Sequence, residues 1–460
     1  MAKDMTRGSV LKTILLFAAP IFFGQILQMT YNIVDSMVVG RFIGENPLAG
    51  VAATYTPISL FNALVLGFST GASIIVAQYF GAGEQEKLRR TFSTTYICVT
   101  VGGLLMTVVV FFLARPLLKY VLATPEEGGV LDMAETYLRV YYCGGVFVFL
   151  YNMFAGALRS LGDSVRPLWF LIISCLSNIV LDLLFVLALD LGVAGVAAAS
   201  VISQGIACVA AVFYIRGHYA VMWYKPREFV FDKTIFRLSL KMGVPEMINS
   251  GISSACFMWQ QRLVNSFGAQ AMAAFLAGQR VDQLVGMPLI ITGTAMAPFS
   301  GQNVGAGKWA RVYEGRNKMA IAAVLFAVVF GPMLMIFRHP LLSIFVADPN
   351  SNVVTYGCDY LMRIAPFYAF LGFNMITGGT MRGAGDTRFS TFNAIVGLVA
   401  RIGSAYLLAY VFNLGLNGIW LSTGVGFAIG VIPTVWRYRS GRWKTKAVVS
   451  APAPAAEETA

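Results

Sequence analysis

Charged residues are scarce in this chain of 460 residues. Only 12% are Asp, Glu, Lys or Arg, whereas 57% are hydrophobic; soluble proteins carry about 25% and about 45–50%, respectively. So little polar surface cannot coat a water-soluble globule, which excludes a cytoplasmic enzyme. The long apolar runs and the 13% aromatic content also exclude a disordered chain, because they offer ample surface to bury in lipid.

Histidine is nearly absent, and cysteine shows no ligand spacing. His218 and His339 both fall in predicted loops, and the six cysteines form no CxxC pair. A metal centre of His and Cys ligands is therefore not expected. A phosphate-binding loop is also missing, since Gly307-Lys308 is followed by Trp309, where a P-loop requires Ser or Thr. We expect no cofactor and no nucleotide.

The net charge is +12, which in a soluble protein would suggest nucleic acid. Here the charges lie in the gaps between apolar runs, so membrane topology is the simpler cause and no nucleic-acid partner is expected. Most Lys and Arg residues fall in the N-terminal arm, in every second gap and after the last run. Because positive loops stay inside, both termini are predicted to be cytoplasmic.

Twelve apolar runs fill the chain, each long enough for a transmembrane helix of about 20 residues. We therefore predict an all-α integral membrane protein with a first lobe at 1–215, a cytoplasmic inter-lobe linker at 216–238, a second lobe at 239–438 and a disordered cytoplasmic tail at 439–460. The runs lie near 13–39, 51–79, 91–113, 134–158, 167–189, 193–215, 239–264, 272–300, 317–338, 355–380, 389–411 and 416–437.

The two halves of the chain repeat each other. Gly81–Gly83 closes the second run and Gly305–Gly307 closes the eighth, both reading Gly-Ala-Gly, at an offset of 224 residues. Arg159–Asp163 and Arg382–Asp386 share the pattern Arg-x-x-Gly-Asp at an offset of 223. Each half holds six spans, and six is even, so both halves enter the membrane in the same orientation. This predicts two six-helix bundles related by a pseudo-two-fold axis along the membrane normal, an arrangement found in alternating-access carriers.

These doubled loops, the twelve spans and the acid in Tyr31-Asn-Ile-Val-Asp35-Ser-Met-Val-Val-Gly-Arg-Phe-Ile-Gly44 resemble the multidrug and toxic compound extrusion (MATE) family over about 10–440. The resemblance implies a V-shaped secondary antiporter that exports small organic, cationic or amphipathic molecules in exchange for H⁺ or Na⁺. It implies a multi-pass protein of the bacterial cytoplasmic membrane, in contact with lipid and acting as a monomer.

Three polar side chains fall at similar depth in the first lobe. Asp35 lies 23 residues after Lys12, about 35 Å along a helix. Asn178 and Asp182 are four residues apart and therefore share a helix face. A carboxylate in hydrocarbon is costly, so we expect the three to converge; the resemblance identifies them as the ion-coupling residues, able to hold Na⁺ or H⁺. The alternative is a structural role, with Asp182 hydrogen-bonded inside the bundle and Asp35 at the interface.

The second lobe does not copy this cluster, because Arg401 and Ala405 stand where Asn178 and Asp182 would repeat. Arg401 is expected to pair with a carboxylate such as Asp282, to repel a cation during the cycle, or to form a static bridge. Further candidates for the substrate cleft or for gating are polar or proline residues in spans 1 and 7: Pro20, Glu246, Gln260 and Gln261.

Pro20 removes a backbone hydrogen bond and favours a kink in span 1; the alternative is a proline that the span merely tolerates. Glu246 follows Pro245 and either acts in the cleft or reaches the cytoplasmic interface. Gln260 and Gln261 cannot both face the same way, so one is expected to line the cleft.

Two other functions compete with the antiporter. A flippase for lipid-linked saccharides, from the related larger superfamily, would need a strongly basic cleft for pyrophosphate; Arg401 and Arg262 support it weakly, and the acidic first lobe argues against it. A membrane-embedded enzyme would need a nucleophile with a base, or a metal cluster, and no His lies within a predicted span.

Overall fold

The protein is described from a computed structural model, covering residues 4–122, 124–219, 222, 229–346, 348 and 351–449. Within these ranges the structure is helical and contains no strand. The fourteen α-helices are α1 Val10–Val38, α2 Glu45–Gly81, α3 Gln85–Pro116, α4 Val130–Cys143, α5 Gly145–Ser160, α6 Val165–Leu183, α7 Gly192–His218, α8 Lys233–Asn265, α9 Ala269–Gly305, α10 Trp309–Ser343, α11 Asn352–Ile364, α12 Tyr368–Gly383, α13 Thr387–Tyr406 and α14 Leu416–Arg439.

The helices provide twelve membrane spans. In the described residues, nine helical spans are long and apolar enough to cross a membrane, and the pair α4–α5, bent by 53°, makes a tenth. The more polar α8 and the broken pair α11–α12 complete the twelve. Lipid-facing positions carry large apolar side chains; on α10, Ile321, Val328 and Ile336 are each more than 60% exposed. This is the all-α, twelve-span membrane fold that the sequence predicts.

The chain divides into two compact units. Among the described residues, the first comprises Asp4 and Ala19–Met247, and the second comprises Met5–Ala18 together with the chain from Ile248 onward. Two of the boundaries fall inside helices, in α1 one residue before Pro20 and in α8 two residues after Pro245. The lobe boundaries drawn from the sequence stay a prediction.

The backbone repeats between the units as the sequence does. A π-helical turn, Leu184–Ala188, follows α6, and its counterpart Leu407–Val411 follows α13, 223 residues later. Two residues beyond each turn, Asp190 and Asn413 both adopt a positive φ, 48° and 55°. Asp and Asn tolerate this left-handed conformation better than other residues with a Cβ. The duplication therefore extends to details of turn geometry that no motif shows.

Each unit has its own aromatic core. In the first unit, Phe61 meets Tyr142 edge-on with ring centroids 5.5 Å apart. In the second, the fully buried Trp420 stacks on Phe275 at 5.7 Å and meets Tyr360 edge-on at 5.2 Å. Such pairs add about 0.5–1.5 kcal/mol beyond the apolar area that they bury.

Glycines allow α2 and α8 to approach within the first unit. A Cβ added at Gly71 would lie 2.5 Å from the backbone nitrogen of Gly243, and one at Gly67 would lie 2.7 Å from that of Met247. The two glycines, four residues apart, therefore mark a close helix contact, the common use of a small-xxx-small pattern.

The repeated Arg-x-x-Gly-Asp loops use their aspartates as structural anchors. Asp163 accepts hydrogen bonds from the Arg166 backbone N–H at 3.1 Å and from the Tyr219 hydroxyl at 2.9 Å. Asp386, which is 3% exposed, accepts from Arg437 Nε at 2.7 Å. Each loop therefore ties the helices around it through one buried carboxylate.

The N-terminal segment is held by the second unit. Met5 donates its backbone N–H to Gln302 Oε1 at 3.0 Å, and Lys308 Nζ donates to the Thr6 carbonyl at 3.0 Å. Arg311 donates to the Gly8 carbonyl at 3.0 Å. Polar groups of the α9–α10 turn and the start of α10 thus fix the chain before α1 begins.

Two segments differ from the sequence interpretation. The chain after α14 is packed up to 449, where a disordered tail was expected: Trp443 is fully buried and stacks on Tyr438 at 5.5 Å, because an indole supplies enough apolar area to anchor the segment. Residues 450–460 of that tail lie outside the described residues. The predicted linker 216–238 is shorter, since α7 ends at His218 and α8 begins at Lys233; its residues 220–221 and 223–228 are likewise not described.

Candidate functional site

The first unit brings together the three residues that the sequence placed at similar depth. Asp182 and Asn178 lie on the same face of α6 and are 0% and 1% exposed. The carboxyl of Asp35, near the end of α1, lies within hydrogen-bonding reach of the Asp182 carboxyl. The convergence is thus present in the structure, while the role of these residues in ion coupling stays a prediction.

Asn178 orients the pair. With its amide placed so that both atoms are satisfied, Nδ2 donates to Asp182 Oδ2 at 2.9 Å and Oδ1 accepts from the Ser200 backbone N–H at 3.3 Å. One oxygen of each carboxyl, Oδ1 of Asp35 and Oδ1 of Asp182, is buried without a donor among the described residues. The site therefore has two buried carboxyl oxygens that can still accept a hydrogen bond or bind a cation.

This arrangement determines what the site can hold. Two carboxylates in contact repel each other in a medium of low dielectric, so the pair needs a proton or a cation between or beside them. Carboxylate and amide oxygens also suit a small hard cation. In the described part of the chain no three His, Cys, Asp or Glu residues group as a metal site; the cluster has two acids and one amide. The geometry fits H⁺ and Na⁺ alike.

A cavity of about 650 Å³ adjoins the pair. Asp35 lines it, whereas Asp182 and Asn178 do not. Pro20 and Arg159 line it as well. A guest in this cavity would contact one member of the carboxyl pair, so occupation of the cavity and the charge of the pair are electrostatically linked.

Tyrosines surround the acids, and the sequence interpretation missed them. The Tyr31 hydroxyl lies 3.2 Å from Ser200 Oγ; Tyr137 lies beside Ser200, and Tyr141 lies beside Asn62. The signal was available, because Tyr31 precedes Asp35 by four residues, and Tyr137 and Tyr141 are also four apart, so each pair shares a helix face. The shell supplies hydroxyls and aromatic faces to the same cavity.

The candidates in span 7 point in different directions. Gln260 is fully buried, and its Nε2 donates to Thr423 Oγ1 at 3.0 Å, whereas Gln261 is half-buried and Arg262 is exposed. Glu246 is 7% exposed and follows Pro245 in the half of α8 that belongs to the first unit. Gln260 belongs to the second unit, whereas Asp35 and Asp182 belong to the first.

The ion pair suggested between Arg401 and Asp282 is not formed. Asp282 accepts hydrogen bonds from the hydroxyls of Tyr360 at 3.1 Å and Tyr368 at 2.7 Å. Arg401 Nη2 donates to Gln260 Oε1 and, at 2.9 Å, to Thr423 Oγ1. The two charges attract at longer range. Spacing along a helix predicts how deep a residue lies in the membrane, but not the direction in which its side chain points. Here the two side chains point to different neutral partners.

Comparison with known proteins agrees with this architecture. The family model MatE matches residues 20–184 and 245–407, once in each half. The chain belongs to the MatE family. The probable multidrug resistance protein YpnP of Bacillus subtilis is 32% identical over 449 residues, which cover 96% of this chain and 98% of that protein. The probable multidrug resistance protein NorM of Thermotoga maritima is 24% identical, over 95% and 94%.

Solved MatE-type structures share the fold. The crystal structure of MATE in the bent conformation superposes with a TM-score of 0.89 at 22% identity, covering 97% of this chain and 98% of that one. The straight conformation gives 0.87 over 96% and 98%, also at 22% identity. The two segments that the family model matches, 20–184 and 245–407, lie in the two halves of the chain whose loops and turns repeat.

Proposed function

We propose that this MatE protein is a secondary multidrug efflux antiporter, a transporter rather than an enzyme. It exports cationic or amphipathic small molecules by alternating access in exchange for H⁺ or Na⁺, and it uses no cofactor besides the coupling ion. Curated relatives carry the names multidrug resistance and multidrug export protein, which support the export of small molecules. We place the protein in the bacterial cytoplasmic membrane, as a monomer with both termini inside.

The observation that carries this proposal is the carboxyl pair beside the large cavity. Asp35 lines the cavity and contacts Asp182, so an organic cation in the cavity and an ion on the pair compete for the same negative charge. When the pair takes up H⁺ or Na⁺, the attraction for the organic cation falls and the cation is released. The surrounding tyrosines offer aromatic faces to flat cations.

The test is drug flux into proteoliposomes under an imposed pH or Na⁺ gradient, with ethidium as the transported cation. We expect the parent to respond to one of the two gradients and Asp35→Asn to lose that response, because Asn keeps the shape of the side chain but removes its charge. Asp182→Asn should lose it as well.

Asp190→Asn is the matched control. Asp190 lies outside the cluster in a left-handed turn, and the repeat places Asn413 in the same conformation, so Asn is accommodated there. Gradient-driven flux that survives in Asp35→Asn would remove Asp35 from the mechanism. Flipping of charged lipid without ethidium transport would instead favour a lipid-linked saccharide flippase.

A further inference from the structure

A second cavity, of about 270 Å³, lies within the second unit among α8, α12, α13 and α14. Arg401 lines it, together with Asn374 and Asn393. A guanidinium inside a membrane span is costly and normally has a counter-charge. The hydrogen-bond partners of Arg401, Gln260 and Thr423, are both neutral, and no carboxylate among the described residues forms an ion pair with it.

The cavity also holds unused polar atoms. Arg401 Nε is buried without an acceptor in the described residues, and Oδ1 of Asn374 and Oδ1 of Asn393 are buried without donors. The Asn374 amide is held in place because its Nδ2 donates to the Phe427 carbonyl at 2.9 Å. A native structure rarely leaves several such groups unpaired, and a ligand would satisfy them.

Two glycines of α14 open the space. A Cβ at Gly426 would lie 3.2 Å from Arg401 Cβ, and a Cβ at Gly430 would lie 3.2 Å from Asn374 Nδ2 and 3.8 Å from Asn393 Nδ2. The Gly426-Phe-Ala-Ile-Gly430 motif therefore faces the charge at one end and the amides at the other. Bulkier residues there would fill the cavity.

We propose that this cavity binds the anionic group of amphoteric substrates: Arg401 takes a carboxylate or similar anion, and the oxygens of Asn374 and Asn393 take adjacent N–H donors. The inference rests on the proposed transport function and extends its substrate class from cations to molecules that carry both charges. An anion supplies the counter-charge that Arg401 lacks among its hydrogen-bond partners, and a charge-assisted hydrogen bond is about twice as strong as a neutral one.

The test uses two dyes that differ in one group. Rhodamine 110 carries a carboxylate, whereas rhodamine 123 is its methyl ester, with the same cationic ring system. Binding is measured by fluorescence anisotropy in nanodiscs of phosphatidylcholine. For rhodamine 110, Arg401→Gln should weaken the affinity about ten- to a hundredfold, the size expected for losing a hydrogen bond to a charged group. For rhodamine 123 the change should stay below twofold.

Two further variants separate charge from folding. Arg401→Lys keeps the charge and should lose less affinity for rhodamine 110 than Arg401→Gln does. Gly430→Leu keeps Arg401 but fills the cavity, and it should also weaken rhodamine 110 selectively. Adding phosphatidylglycerol shows which source provides the anion: competition seen in the parent and absent in Arg401→Gln identifies lipid phosphate as a ligand of the site, and no competition assigns the site to substrate carboxylates.

Unchanged affinity for rhodamine 110 in both Arg401→Gln and Gly430→Leu would overturn the proposal. The proposed function is tested separately, by whether Asp35→Asn weakens the binding of rhodamine 123. A parent that binds rhodamine 110 but not rhodamine 123 would therefore contradict the cation-export proposal while leaving the anion site supported.

Discussion

The contact between α2 and α8 yields a prediction whose size follows from the structure. A Cβ at Gly71 would lie 2.5 Å from the Gly243 nitrogen, 2.7 Å from its Cα and 2.9 Å from the Ser239 carbonyl oxygen, whereas ordinary Cβ contacts are 3.4–4 Å. All three atoms belong to backbone, so no side chain can turn aside. Gly71→Ala therefore forces the helices apart by about 1 Å, an overpacking that costs typically 1–3 kcal/mol.

The assay is thermal unfolding in detergent, followed by tryptophan fluorescence. With roughly 2–4 °C of Tm per kcal/mol for a unit of this size, a cost of about 1–3 kcal/mol should lower the Tm of Gly71→Ala by roughly 2–12 °C. Gly102→Ala is the matched control, because Gly102 lies in α3 with no atom within 4 Å of an added Cβ; it should raise stability by up to about 1 kcal/mol, since Ala favours helix over Gly. A Tm of Gly71→Ala equal to or above that of the parent would refute the close contact.

Three further changes test hydrogen-bonded anchors within the second unit. Asp386→Asn removes the counter-charge of Arg437, whose side chain is 14% exposed, and should cost up to about 3 kcal/mol, at or below the low end for a fully buried pair, seen as a lower Tm; an unchanged Tm would contradict the anchor. Arg311→Ala should accelerate hydrogen exchange at the amides of 5–9 by at least about tenfold, because the guanidinium no longer donates hydrogen bonds to the carbonyls of this segment. Protection equal to that of the parent would show that these hydrogen bonds do not hold the segment. Tyr368→Phe removes one of the two donors to Asp282 and should cost about 1–3 kcal/mol, measured by the same melt; a neutral effect would mean that water replaces the hydroxyl.

The sequence predicts the twelve spans, the duplication and the meeting of Asp35 with Asp182. These features depend on length, hydropathy and depth along a helix, which spacing reports directly. The partners of Arg401 could not be predicted in this way, because they depend on the rotation of α8, α13 and α14 about their own axes. The ion pair with Asp282 failed for that reason.

Other features of the structure have no sequence pattern that would indicate them. The segment around Trp443 follows the last apolar run and is rich in charge, so nothing periodic signals that a single buried indole anchors it. The tyrosines near Asp35 are ordinary residues of apolar spans, and only their four-residue spacing from one another or from the acid distinguishes them. Glycine motifs predict close packing, but not that Gly426 and Gly430 face a cavity.

The central claim is that the Asp35–Asp182 pair holds the coupling ion beside the substrate cavity. It is tested most directly by the Kd of tetraphenylphosphonium for purified protein, titrated at stepwise H⁺ and Na⁺ concentrations. We predict that the Kd of the parent rises with the concentration of one of these ions, since that ion neutralises the pair. We predict that Asp35→Asn binds tetraphenylphosphonium weakly, with a high Kd that depends on neither ion. An ion dependence of the same size in Asp35→Asn would contradict the account.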